Sequence, residues 1–210
     1  MKLKNFTKNI KVKNISKKLS SEEFIKIKML IMNENPNSLL SNLNDKILKI
    51  YLNHCALSNS FYIFSCNLKK NVIGYAIFAK KYKLIRNEFS FLSKQILFDQ
   101  IFKIKIKALL NFILIFTYLE NIFINKKKML VINENLNLNL FAIQNKYQSM
   151  GLGKYFLKSC LKTIITHTKS HYLLTETFNN RALSFYLNKM NFKKYCIKIR
   201  FFKNLKVLIY

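Results

Sequence analysis

The stretch "YQSMGLGKYFL", Tyr147 to Leu157, holds two of the only three glycines in a chain of 210 residues. It lies where an apolar run gives way to a helical pattern. A strand that feeds a helix through such a turn presents several main-chain N–H groups at the positive end of the helix, a setting that suits a phosphate or pyrophosphate. Gly151 and Gly153 would let the main chain approach a ligand closely and adopt φ > 0. The spacing reads QxxGxG. A dinucleotide fingerprint needs GxGxxG with an acid further on, and a P-loop needs GxxxxGK followed by Ser or Thr. Here Gly153-Lys154 is followed by Tyr155, and no Gly stands five residues before Gly153.

Upstream of this turn, "NLNLFAIQ", Asn137 to Gln144, alternates Asn with Leu and reads as a half-buried strand. Downstream, "GKYFLKSCLKTIITHT", from Gly153 to Thr168, reads as a helix and "YLLTET", Tyr172 to Thr177, as a short strand. "NRALSFYLNKM" is again helical, and "KKYCIKIRFF" and "KVLIY" close the chain as two strands. At the other end, Ser20 or Ser21 followed by Glu22 and Glu23 opens a helix through "FIKIKMLIM", with acids in its first turn. Leu40, Leu43, Ile47, Ile50 and Tyr51 recur at helical spacing and predict a second helix within "SLLSNLNDKILKIYLNHCAL". The strands Phe61–Cys66 and Val72–Ala79, joined by "NLKKN", predict a hairpin. Lys83 to Lys128 is patterned as helix and is long for a connection, which predicts an inserted pair of helices. The order is strand, two helices, hairpin, insertion, then strand, helix, strand, helix and two strands. That is an α/β (α+β) fold, a central mixed, mostly antiparallel sheet with helices on both faces.

Composition bounds the function. The length suits one domain with a sizeable core, and 50% hydrophobic residues exclude a disordered chain. The net charge is +28, which by itself suggests a nucleic-acid binder. Of the 37 basic residues, however, only Arg86, Arg181 and Arg200 are arginine, and Lys, Asn, Ile, Phe and Tyr are abundant from end to end. A compositional bias explains this better than a selected basic face, and no nucleic-acid partner is expected. Cys55, Cys66, Cys160 and Cys196 form no CxxC pair and have no His at metal-ligand spacing, so no metal is expected. The basic start lacks the apolar core of a secretory signal, and a cytoplasmic location is expected. Ala108 to Ile124 is strongly apolar, but its uncharged run ends at Glu120, short of the roughly 20 residues a membrane span needs. A docking helix flanked by lysines, in peripheral contact with a membrane, is the alternative to burial there.

A second block, "TETFNNRALSFYLNKMNF", Thr175 to Phe192, follows the glycine turn. Together the two resemble the GNAT (Gcn5-related N-acetyltransferase) superfamily, which carries R/QxxGxG/A after its fourth strand and NxxAxxFYxxxGF later. The matching residues are Gln148 to Gly153, then Asn179, Ala182, Phe185-Tyr186 and Asn191-Phe192. The resemblance implies one N-acetyltransferase domain over 1–210, with residues 83–128 as a helical insertion of the kind found in a bacterial subgroup. It implies acetyl-CoA as the cosubstrate and transfer of the acetyl group to a primary amine of a small molecule or amino sugar by direct attack. A protein amine, or a non-catalytic acyl-CoA-binding module, is the alternative, and the resemblance leaves room for a homodimer. Phe141, Ala142 and Ile143 would meet the pantetheine arm. Main-chain N–H groups of Gln148, Ser149, Met150, Gly151, Leu152, Gly153 and Lys154 would hold the pyrophosphate. Asn179 would contact the cofactor arm, Ala182 would keep the helix close to it, and Tyr186 would protonate the departing thiolate. Glu134 and Glu176 are the candidates for the general base, while His54, His167 and His171 read as surface or helix-end residues. Asn191 replaces the usual Gly; as the next-best residue for a left-handed cap it is expected to preserve the turn.

Overall fold

Ser20 opens the first helix through a reciprocal cap, its Oγ accepting from the Glu23 N–H at 3.1 Å while Glu23 Oε2 accepts from the Ser20 N–H at 3.1 Å. The computed structural model describes residues 9–36, 38, 40–69, 71–81, 124–166, 172–177, 179–200 and 203–210. Helix α1 (Ser21–Glu34) buries Phe24, Ile27, Leu30 and Ile31, a stripe at helical spacing. It follows strand β1 (Ile10–Ile15), to which Glu23 is tied through Lys13 at 2.9 Å. The periodicity carries a helical reading back to about residue 38, but α2 runs only from Asp45 to Leu57. Asn44 is the reason: its side chain accepts from the Ile47 N–H at 2.8 Å and fixes the start there, and Leu40–Asn42 form a separate 3-10 turn.

Strands β2 (Phe61–Leu68) and β3 (Asn71–Ala79) follow as the spacing predicts, and every residue of β3 from Ile73 to Ala79 is buried. Helix α3 (Lys126–Glu134) is capped by Asn125 and leads into β4 (Leu136–Ile143). Then come α4 (Leu152–Ile165), β5 (Leu173–Thr177), α5 (Asn180–Ser184), a π turn (Phe185–Lys189), β6 (Lys193–Arg200) and β7 (Lys203–Ile209). The strands are ordered β1-β2-β3-β4-β5-β7-β6. β1 runs antiparallel to β2, and β7 runs antiparallel to both β5 and β6, whereas β4 and β5 are parallel, so the sheet is mixed as expected. The parallel pair β4–β5 requires a crossover, which α4 supplies.

The chain forms two compact units, Met1–Phe78 with Asn139–Lys169, and Ala79–Leu138 with Ser170–Tyr210. The first is built on α1, α2 and α4, whose buried faces include Ile27, Leu52, Phe156 and Ile164. The second has a core of Ile132, Leu174 and Val207, with Met129, Tyr195, Cys196 and Ile209 packed around it. β4 departs from the alternating pattern expected of a half-buried strand. Leu136, Asn137 and Leu138 are all buried, because β4 is an interior strand. Asn137 is accommodated by donating to the carbonyls of Ile132 (3.2 Å) and Asn135 (2.7 Å).

Of the expected insertion, 83–128, only residues 124–128 are described, and Lys126–Lys128 open α3. The rest of it lies outside the described residues, with all but the last residue of the apolar segment 108–124; His167 and His171 lie outside them too. Among the described residues no helix is long and apolar enough to cross a membrane. The four cysteines are free thiols, three of them buried. Burial pushes the Cys66 thiol up to about 12 and raises Cys160 further, so neither is a reactive thiolate at neutral pH.

Candidate functional site

The candidate residues fall into two groups, one in each unit. In the first, β4 delivers Phe141, Ala142 and Ile143 to a short 3-10 turn (Asn145–Tyr147), and the glycine stretch follows. Ala142 and Ile143 are buried, and the Phe141 ring stacks on Phe156 of α4 with centroids 5.6 Å apart. The phenyl group is thus committed to packing, and what β4 can offer a ligand from this residue is main chain.

Gly151 is the N-cap of α4 and has φ 78°, the left-handed conformation that glycine adopts without strain. The second positive φ of the loop belongs to Ser149, at 66°, and not to Gly153, which sits inside the first turn of α4 with ordinary helical geometry. The absence of a side chain, rather than backbone freedom, is therefore what Gly153 contributes. A non-glycine residue held at positive φ costs about 1–2 kcal/mol, and such strain collects in ligand-binding loops.

Among the described α-helices, α4 alone starts without a side-chain cap; Ser20, Asn44, Asn125 and Asn179 cap α1, α2, α3 and α5. The Tyr155 N–H is the first to reach back, to the Gly151 carbonyl at 3.1 Å. The N–H groups of Leu152, Gly153 and Lys154 precede it and have no acceptor within the helix. Together with the helix dipole they form an opening for an anion.

Gln148 does something else. Its side-chain amide donates to Glu34 Oε2 at 2.8 Å and to the Ile143 carbonyl at 2.7 Å, and its main-chain N–H donates to the Asn145 carbonyl at 3.0 Å. All its donors are engaged inside the protein, so the expectation that its N–H joins the cradle is corrected: Gln148 holds the loop. Sequence reading missed Glu34. No local pattern marks it, since its partners lie more than a hundred residues away.

In the second unit the Asn179 side chain accepts from the N–H groups of Arg181 (2.8 Å) and Ala182 (3.4 Å), capping α5. Ala182 is therefore part of the capped first turn. Tyr186 is 5% exposed, its ring lies 5.2 Å from those of Phe185 and Phe192, and its hydroxyl hydrogen-bonds Thr175. Burial pushes this phenol up to about 12. Thr175 Oγ1 itself donates to the Leu138 carbonyl at 3.2 Å.

The motif also departs from its pattern in length, since four residues, Leu187 to Met190, separate Tyr186 from Asn191-Phe192 where the pattern has three. The π turn accommodates the extra residue: the Met190 N–H bonds to the Phe185 carbonyl, an i→i+5 step. Asn191 then takes φ 59° and the Phe192 N–H reaches the Tyr186 carbonyl at 3.0 Å, so the left-handed cap expected of Asn191 is present.

Glu134 ends α3 and is ion-paired with Lys81 at 2.5 Å, while Glu176 lies in β5 opposite Val207. Among the described residues the β4–β5 ladder has three pairs, from Leu136–Leu173 to Leu138–Thr175.

No family model matches the sequence. No curated protein matches it significantly. Solved structures do match over nearly the whole chain. Polyamine N-acetyltransferase from Drosophila melanogaster superposes with a TM-score of 0.63 at 6% identity, over 96% of this chain and 99% of that one. A Desulfovibrio desulfuricans protein assigned to the GNAT family of acetyltransferases gives 0.58 at 9%, over 96% and 98%. Spermidine N-acetyltransferase from Vibrio cholerae, solved with CoA and spermine, gives 0.56 at 13%, over 97% and 95%. The chain has the fold of the GNAT acetyltransferases.

Proposed function

We propose that this protein is an acetyl-CoA-dependent N-acetyltransferase that acylates a primary amine of a small molecule or amino sugar by direct attack. The observation that carries the reading is the uncapped start of α4 behind the positive-φ pair Ser149 and Gly151, in a chain with this fold. A pyrophosphate fits that opening, because its charge matches the helix terminus and its oxygens match the unpaired N–H groups. Acetyl-CoA supplies the activated acyl group. The main chain from Ser149 to Lys154 binds the pyrophosphate, and Gln148 holds the loop that presents it. Beyond Leu138, the β4 main chain through Phe141, Ala142 and Ile143 pairs with the amide groups of the pantetheine arm. Asn179, which caps α5, is proposed to contact the cofactor arm, and the small Ala182 to let that helix lie close to it.

Tyr186 gives a proton to the departing thiolate. Its phenol is fully protonated at neutral pH and so carries the proton that the transfer needs. Glu134 is ion-paired with Lys81, and Glu176 is the other candidate to take the proton from the amine. The +28 charge sets the acceptor preference: a polycation is repelled, whereas a neutral amino sugar or one carrying an anionic group is not.

The engagement of Glu134 also supports a second reading, an acyl-CoA-binding module without a working base. Both readings are tested by calorimetric titration with acetyl-CoA and CoA beside a transfer assay over a panel of amines and amino sugars. Binding with transfer supports the enzyme, and binding without transfer supports the module. Absence of binding overturns both.

A further inference from the structure

The sequence has nine acidic residues against 37 basic ones, and one of the nine reaches the loop that leads into the anion opening. Glu34 is the last residue of α1. Its Oε1 accepts the Asn145 main-chain N–H at 2.8 Å, and its Oε2 accepts the Gln148 amide at 2.8 Å. Gln148 simultaneously donates to the Ile143 carbonyl at the end of β4. The 3-10 turn Asn145–Tyr147 is therefore clamped at both ends, by one carboxylate on one side and by the strand on the other. Immediately beyond the clamp come the strained Ser149 and the left-handed Gly151.

Electrostatics alone argues against an acid here. A carboxylate near a pyrophosphate opposes binding, and long-range charge would be better served by a Lys, which this chain uses freely. A carboxylate is nevertheless the group that can accept two charge-assisted hydrogen bonds from different donors at once. We infer that Glu34 is a positioning residue for the cofactor loop: it fixes Asn145 and Gln148 so that the N–H groups at the start of α4 are aimed at the pyrophosphate before it arrives. Preorganisation of this kind strengthens binding by removing the cost of ordering the loop. The inference rests on the acetyl-CoA reading above.

The two effects of Glu34 have opposite signs, which makes the test decisive. Acetyl-CoA binding by Glu34→Gln, Glu34→Ala and Gln148→Met is measured by calorimetry on the folded proteins, together with KM and kcat. Positioning predicts that Glu34→Ala weakens acetyl-CoA binding by about tenfold, equivalent to 1.4 kcal/mol, and raises KM by a similar factor while kcat at saturation stays within about twofold. It also predicts that Glu34→Gln, which retains an acceptor, loses less. Tighter or unchanged binding in Glu34→Ala overturns the inference, as does a fall in kcat with KM unchanged. Should Glu34→Ala fail to fold, the same comparison is made with Glu34→Gln and Gln148→Met. Their losses combined in one chain should fall short of additive if the two residues form one clamp, and full additivity overturns it. Failure of the wild-type protein to bind acetyl-CoA is a separate outcome that removes the acetyl-CoA reading and the role of Glu34 with it.

Discussion

A Cβ placed on Gly74 would stand 2.5 Å from Cδ1 of Ile143 and 3.0 Å from the carbonyl oxygen of Ala142. No side chain fits between β3 and the end of β4, so the third glycine of the chain serves close approach. Its backbone needs no special φ, since Gly151 is the only glycine at positive φ. Gly74→Ala is expected to destabilise the protein by about 1–3 kcal/mol through overpacking. Adding Ile143→Val removes the Cδ1 contact and should restore part of that loss, the Ala142 carbonyl accounting for the remainder. Urea unfolding of the two single variants and the double variant checks this, and simple additivity would refute the contact as the cause.

The two glycines of the cradle should respond to alanine in opposite ways. Gly151→Ala forces a Cβ into φ 78° and should cost about 1–2 kcal/mol. Gly153→Ala replaces a helical glycine and should be neutral or stabilising by up to about 1 kcal/mol. Both should weaken acetyl-CoA binding, the first by moving the N–H groups and the second by placing a methyl in the ligand's path. Thermal melting and calorimetric titration of the same samples separate the two quantities.

Tyr186→Phe should lower kcat by about a hundredfold or more if the phenol is the proton donor. Its pKa is raised from 10 to about 12 by burial, so the neutral form is the one the fold favours. The sign follows: the stabilisation is complete below pH 10 and is lost as pH rises from 10 toward 12, where the unfolded phenol ionises first. A pH–rate profile should therefore show no Tyr186 break between about pH 6 and 10. An alkaline break in that window that persists in Tyr186→Phe belongs to another group.

Acceptor preference should follow charge. Spermine and spermidine are expected to give a higher KM than an amino sugar at low ionic strength, and the gap should narrow as salt screens the +28 field. Initial rates over a range of salt concentrations test this. Polyamines that remain the better acceptors at low salt would contradict it and would point to a local acidic site.

Local features decided the parts of the fold that were legible in the chain. The capping box of Ser20 and Glu23, the QxxGxG turn and the left-handed Asn191 each involve residues within a few positions of one another, and each was readable from residue type and spacing. The start of α2 set by Asn44 was also a local matter, hidden because helical periodicity continues upstream of the cap. The π turn belongs here too, since one residue too many between Tyr186 and Asn191 is a countable fact.

Tertiary structure alone decided the rest, because hydrogen bonds between distant residues leave no period in the sequence. Glu34 resembles any helix-end acid until the fold brings it to Asn145 and Gln148. Glu134 reads as a catalytic candidate until Lys81 engages it, and Gln148 as a ligand contact until its donors are found satisfied. The glycine turn thus announced where an anion would sit, while the residues that hold that turn in place were set by packing across more than a hundred residues of chain.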